Sequence, residues 1–230
     1  MIKAVVFDLD NTLYAYDPCH AAGFCAVTDY AAAHFGVGPE QFRALHREGD
    51  RLLRAHAGEN AAAIHSRLIR YQLILEGLGQ PIFHAPRMEQ RYWDAFFAEV
   101  KPEPGVRETL ETLRERGFRI GVGTNMTAAQ QYEKLRLLGL LEAVDFLVSS
   151  EEVNAEKPDT KLFLRCVEKA GIDAGECLFV GDDPERDIRG ALAAGMPAVW
   201  LRRRDAGEAP EGVPVIEKLD ALPALLTEMQ

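Results

Sequence analysis

Two aspartates, Asp8 and Asp10, stand two positions apart directly after an apolar, β-favouring run that begins at Ala4, and Thr12 adds a hydroxyl. A continuous apolar run of this kind predicts a central strand buried on both faces. Side chains alternate along a strand, so both carboxylates project the same way where the strand ends. Two carboxylates about 4 Å apart repel by roughly 4 kcal/mol at an effective dielectric near 20. A fold accepts that repulsion when something offsets it, most simply a hard cation such as Mg²⁺. On spacing alone, a pair of exposed turn aspartates is the competing reading.

Three further places carry polar residues at apolar strand ends or helix starts. Thr124-Asn125 closes the run Arg119–Gly123, Lys157-Pro158 precedes a helical stretch, and Gly181-Asp182-Asp183-Pro184-Glu185-Arg186-Asp187 closes the run from Cys177. Each has a plain account of its own: a Thr-Asn turn, a solvated lysine, acidic residues complementing a helix dipole.

The elements that must position these residues fall into two kinds of text. From about Asp17 to Val100 β-branched residues are few, and four helices are predicted. They run from about Pro18 to Phe35, from Pro39 to about His56, from an N-cap at Asn60 to Gly77-Leu78-Gly79, and from about Pro86 to Glu99. Met88, Tyr92, Trp93 and Phe96 supply much of the last helix's apolar stripe. Lys101-Pro102-Glu103-Pro104-Gly105 then breaks the pattern. Beyond it, strands at 119–123, 145–149, 177–181 and 198–201 alternate with helices at about 106–116, 128–138, 160–170 and 185–194. A short β-like piece near Val213–Ile216 and a closing helix from about Leu219 follow. Strands alternating with Gly-stopped helices predict an α/β fold with a doubly wound parallel sheet, here interrupted after its first strand by a small α-helical insert. The expected division is 1–16 with 101–230 for the core and 17–100 for the insert.

Composition bounds the rest. The 230 residues are 47% hydrophobic and 27% charged, enough for a substantial core. A formal charge of −10 argues against nucleic-acid polymers and anionic membranes as partners. No apolar run reaches membrane-spanning length, and no signal-peptide pattern opens the chain. Cys19, Cys25, Cys166 and Cys177 form no C-x-x-C pair and read as reduced thiols of a cytoplasmic protein.

Taken together, the order and spacing of D-x-D-x-T at Asp8, the Thr at 124, the Lys at 157 and the G-D-x-x-x-x-D at Gly181 resemble the haloacid dehalogenase (HAD) superfamily. The resemblance covers the whole chain, including a helical cap after the first motif as in the C1-capped subfamily. The stretches Gly121-Val-Gly-Thr-Asn125, Glu133-Lys-Leu-Arg-Leu-Leu-Gly-Leu140 and Ser149–Asp159 look most like its nucleotidase and sugar-phosphate phosphatase branch. It implies a Rossmann-like core and a Mg²⁺-dependent phosphomonoester hydrolase acting on a small phosphorylated metabolite, such as a nucleoside monophosphate or a sugar phosphate. In that reading Asp8 is the nucleophile that becomes an aspartyl-phosphate, and Asp10 is the acid and base. Asp8, Asp182 and the Asp10 backbone carbonyl hold the metal. Thr124, the Asn125 amide and Lys157 take phosphoryl oxygens. Asp187, or else Asp183, orients Lys157 or a metal-bound water, and Thr12 supports the set.

Met126 stands where many relatives have glycine. Either the loop differs, because methionine enters φ > 0 at a cost, or a thioether joins the pocket wall. Asp10 disfavours a dehalogenase, since a halide needs no acid and the family's dehalogenases lack an aspartate there. No lysine lies in the helical insert, which disfavours a phosphonatase. A phosphomutase shares every core motif, and a regulator that binds phosphorylated ligands without turnover is the non-enzymatic alternative.

All six histidines lie in the insert without the i, i+4 pairing of a helical zinc site, so they read as surface or partly buried. Its basic residues are all arginine, eight against nine acids over 18–99, as a lid facing anionic substrates and excluding water would have. Arg43, Arg47, Arg51 and Arg54 fall near one helical face, which alone reads as a solvated stripe. Arg202-Arg203-Arg204 reads as a solvated loop, and the oligomeric state is open.

Overall fold

A computed structural model describes residues 1–203 and 210–229. Contacts divide the chain into two compact units, Met1–Ala15 with Lys101–Gln230 and Tyr16–Val100. Arg204 of the arginine triplet lies outside the described residues.

The first unit is built on six parallel strands: β1 (Ala4–Phe7), β2 (Arg119–Thr124), β3 (Phe146–Ser149), β4 (Cys177–Gly181), β5 (Ala198–Leu201) and β6 (Val215–Ile216), in the order β3-β2-β1-β4-β5-β6. This is an α/β fold with the doubly wound, Rossmann-like strand order. β1 is central and wholly buried, which its unbroken apolar sequence dictates. Phe7 pairs with Val122 on one side and Val180 on the other, so β2 runs two residues and β4 one residue past the end of β1. The Asp8 N–H continues the ladder onto the Val180 carbonyl at 2.9 Å and fixes where that aspartate leaves the sheet. Leu162, Phe163, Cys166, Phe179, Ile188 and Trp200 form much of the core on one face.

The second unit contains α1 (Tyr16–Phe35), α2 (Pro39–Ala57), α3 (Arg67–Leu78) and α4 (His84–Ala98). α1 and α4 cross at Gly23, where a β-carbon would stand 2.8 Å from the Tyr92 ring. Met88, Tyr92, Trp93 and Phe96 are the buried stripe of α4. The cap expected at Asn60 is corrected: α3 begins after Ser66, whose hydroxyl accepts from the Ile69 N–H at 3.3 Å, and a 3₁₀ turn at Ala62–His65 comes before it. None of the described helices is long and apolar enough to cross a membrane.

Back in the first unit, α5 (Val106–Glu115), α6 (Ala128–Leu138), α7 (Ser150–Val153), α8 (Thr160–Ala170), α9 (Gly190–Ala193) and α10 (Leu222–Glu228) join the strands. The helix expected over 185–194 is different in kind. It opens as a wide π turn at Pro184–Arg189 and only then tightens into the single turn α9. Wide turns of this sort often mark functional sites, and this one carries Asp187 inward.

Candidate active site

Asp8, Lys157, Asp182 and Asp187 meet at the carboxyl edge of β1 and β4, where ligands bind in open parallel sheets. Lys157 Nζ donates to Asp8 Oδ1 at 2.5 Å, to Asp187 Oδ1 at 2.6 Å and to the Gly123 carbonyl at 3.2 Å. All three of its donor positions are therefore used. Thr12 Oγ1 lies 3.2 Å from Asp8 Oδ2 and 3.5 Å from Asp182 Oδ1. Asp182 sits where its loop is anchored from below, by Trp200 Nε1 donating to the Asp182 carbonyl at 2.9 Å.

One carboxylate oxygen from each of Asp8, Asp182 and Asp187 falls within 4.8 Å of the others. With Lys157 the only cation touching them among the described residues, the ionised group carries two uncompensated negative charges. Their mutual repulsion is visible in the acidities. Burial raises the Asp8 carboxyl well above its ordinary range against the pull of Lys157, and Asp187, Asp182 and Asp10 push it further. Asp182 is pushed up to about 7, by burial first and Asp187 next. Burial alone would push Lys157 down, yet Asp187 and Asp8 hold its ammonium above the usual lysine value. Hard oxygen donors with a surplus of two negative charges fit a divalent cation of the Mg²⁺ kind. Asp187 belongs to this oxygen cluster while it also orients Lys157.

The Asp10 side chain is turned elsewhere. Tyr14 donates to its Oδ1 at 2.5 Å, and Lys134 Nζ reaches its two oxygens at 2.7 and 3.0 Å. Lys134 is wholly buried, on α6, and was not singled out from the sequence. The signal was there: Gln131, Lys134, Leu135 and Leu138 occupy the inward positions of α6 at helical spacing, so two polar residues lie on an apolar face.

Gln131 is the second such residue. Its Nε2 donates to Thr124 Oγ1 at 2.6 Å, which occupies a Thr124 lone pair and leaves the hydroxyl proton, now facing the Asn125 carbonyl at a long 3.4 Å, to donate. The Asn125 side chain is spent on the backbone of Lys157: Oδ1 accepts from its N–H at 2.8 Å, and Nδ2 faces its carbonyl at 3.4 Å. Asn125 thus joins the second loop to the lysine loop. Met126 does enter positive φ, at 134°. Ser150 Oγ accepts its N–H at 2.9 Å, and its sulfur lies 3.6 Å from Lys134 Nζ. The loop therefore keeps a glycine-like backbone with a buried thioether, and the strain of about 1–3 kcal/mol is offset by that packing.

Two other residues have local roles. Asp183 caps the wide turn by accepting from the N–H groups of Glu185 and Arg186, both at 2.9 Å. Arg203, expected in a solvated loop, donates to the Asn11 and Thr12 carbonyls and pairs with Glu103. It ties the loop after Asp10 in place, while Arg202 pairs with Glu217 at the surface.

Comparison with known proteins bears on this arrangement. Residues 2–195 match the sequence model of the haloacid dehalogenase-like hydrolases. A ribulose-1,5-bisphosphate 5-phosphatase of Halopiger xanaduensis is 37% identical, the match covering 92% of this chain and 89% of that protein. A glyceraldehyde 3-phosphate phosphatase of Methanopyrus kandleri is also 37% identical, over 88% of this chain and 85% of that one. Among solved structures, a 2-haloacid dehalogenase of Pseudomonas syringae superposes with a TM-score of 0.79 at 29% identity, covering 100% of both chains.

Proposed function

This chain belongs to the haloacid dehalogenase-like hydrolases and is a phosphatase of that family, and from that premise we propose that it hydrolyses a small sugar phosphate through an aspartyl-phosphate on Asp8. Relatives that match most of the chain are named for sugar phosphates, which favours that class over nucleotides.

One Asp8 oxygen attacks phosphorus, the phosphorus–oxygen ester bond breaks, and the alkoxide takes a proton from Asp10. Water then attacks the acyl phosphate, Asp10 accepts its proton, and Asp8 is regenerated with release of phosphate. Lys157 holds Asp8 in place at 2.5 Å and balances charge on the phosphoryl oxygens, and Asp187 keeps that lysine aimed. Thr124, its lone pair taken by Gln131, donates its proton to a phosphoryl oxygen. Asp8 and Asp182 would hold a divalent cation, which would offset the repulsion between anionic nucleophile and anionic substrate. Tyr14 and Lys134 position Asp10 through its carboxylate.

The observation that carries the reading is Asp10, a held carboxyl group two residues beyond the nucleophile. Halide departs without a proton, whereas an alkoxide needs one. Phosphate release from a panel of phosphomonoesters, with Mg²⁺ and with chelator, is the test. Mg²⁺-dependent release highest on sugar phosphates supports it. Asp10→Asn is expected to cut turnover by about 10²–10⁴-fold. Silence across the panel with an intact fold, or release indifferent to chelator, would sink it.

A further inference from the structure

The helical unit holds a cavity of about 340 Å³ whose wall is charged well beyond what its packing requires. Arg47, Arg67 and Arg70 line it with His20, His46 and His65, and Asp50 is the one lining carboxylate among the described residues. We propose that this cavity is an anion-binding site that takes a phosphate- or carboxylate-type group.

Arg67 is 5% exposed, and its polar partners are two phenol oxygens, Tyr92 at 2.7 Å and Tyr16 at 3.2 Å, and the His65 carbonyl at 3.5 Å. No carboxylate is among them. Its guanidinium also lies over the rings of Tyr92 and Trp93, at 4.1 and 4.5 Å, which orients the charge but leaves it uncancelled. Buried arginines are ordinarily paired with an acid, because the desolvated charge is otherwise costly.

Arg70 is three residues further along the same helix, and its side chain is 9% exposed. It reaches Asp50 at 2.8 Å, and it shares that carboxylate with Arg54, also at 2.8 Å, which has Glu59 as a second partner at 3.3 Å. Arg70 Nε is buried with no partner. α2 approaches closely here because residue 49 is glycine: a β-carbon would stand 3.1 Å from Ile74 and 3.3 Å from Arg70. Arg47 completes the rim, and it makes no ion pair among the described residues, whereas Arg43, Arg51 and Arg54 on the same helix pair with Glu40, Glu48 and Asp50.

The histidines register the resulting field. Burial lowers His20 to about 4, with Arg67 and Arg70 adding to it, and lowers His46 to about 3, with Arg70 next in effect. Three guanidiniums, one shared carboxylate and the neutral imidazoles of His20 and His46, around a cavity large enough for a tetrahedral oxyanion, make a wall short of counter-charge.

All six histidines lie in this unit, so their ring signals in proton–carbon correlation spectra report on it alone. The probe is inorganic phosphate added to the full chain in chelator, against chloride at equal ionic strength. His20, His46 and His65 are expected to shift saturably while His34 and His56 stay put, and Arg47→Ala to weaken binding about tenfold, one charge-assisted hydrogen bond at a partly exposed position. Absence of saturation, equal movement of all six signals, or indifference to Arg47→Ala would overturn the site. A second arm separates the sources of the anion and rests on the phosphatase reading above, which the spectra do not. If the group belongs to the substrate, Arg47→Ala lowers kcat/KM for a sugar bisphosphate more than for the matching monophosphate. If both fall alike while the phosphate shifts persist, the site serves a free anion.

Discussion

At the scale of single residues, the site holds more positioning groups than its four motifs suggest. Lys134 and Tyr14 grip Asp10, so the carboxyl that must meet the leaving group is held before substrate arrives. Lys134→Met keeps the length and the apolar stem and removes the grip. It is expected to lower kcat by roughly ten- to a hundredfold with KM little changed, the range for removing a supporting partner. Steady-state kinetics with that split checks it, and a rise in KM alone would show Lys134 to be a binding residue instead. The acidic cluster gives a second expectation at this scale. Asp182→Asn removes one of three crowded carboxylates while keeping the Trp200 anchor on the main chain. The metal-free variant should therefore be more stable than the parent by about 1–2 kcal/mol. It should also lose the Mg²⁺-induced rise in Tm, which for the parent reflects a stabilisation of about 2.7 kcal/mol at a hundred times Kd. Equal Tm values without metal would mean that the carboxylates do not strain one another.

At the scale of elements, the wide turn and the strand before it act as one part. Gly181 ends β4, and a β-carbon there would stand 2.3 Å from Asp187 Oδ2 and 2.6 Å from its Cβ. Rotating one side chain cannot clear both, so Gly181→Ala must push the turn outward and with it the acceptor of Lys157. Activity is expected to fall by roughly a hundredfold or more, with far-ultraviolet circular dichroism preserved and Tm lowered. Unchanged kinetics would show the turn to be soft. This contact also marks how far the sequence could be read. The sheet was legible, because β1 and β4 are unbroken apolar runs and α5, α6 and α8 stop at Gly117, Gly139 and Gly171, and so was the meeting of Asp8, Lys157 and Asp182 at its edge. What pattern could not reach were contacts across many residues: Lys134 to Asp10 spans 124 positions, and Arg203 to the Asn11 carbonyl spans 192. Nor could it show that the segment after Asp183 would widen, since six residues are too few for a π turn's spacing to stand apart from that of an α-helix. Asn60 failed as a cap for a local reason, as Ser66 stood nearer the first inward residue of α3.

At the scale of the whole molecule, the two units should answer differently to acid. The helical unit contains every histidine, and two of them are kept neutral inside it: His20 at about 4 and His46 at about 3, burial being the first cause of each. Arg70, Arg67 and His20 press His46 further down, and only Asp50 opposes them. An unfolded histidine takes its proton near pH 6.5. Between that value and the folded ones the unfolded chain binds more protons, so the stability present above pH 6.5 drains away as pH falls toward 4. Each histidine held neutral costs about 1.4 kcal/mol per pH unit across that window. Urea unfolding in phosphate-free buffer at pH 7, 6 and 5, followed by Trp93 fluorescence after Trp200→Phe, would measure this. The expected result is a midpoint that falls with acid, and a shallower fall in His46→Leu by about one histidine's share. If the parent and His46→Leu lose stability in parallel, His46 is not the group being protonated. Phosphate gives a control at the same scale: an anion seated among Arg47, Arg67 and Arg70 should raise the midpoint at each pH of the series.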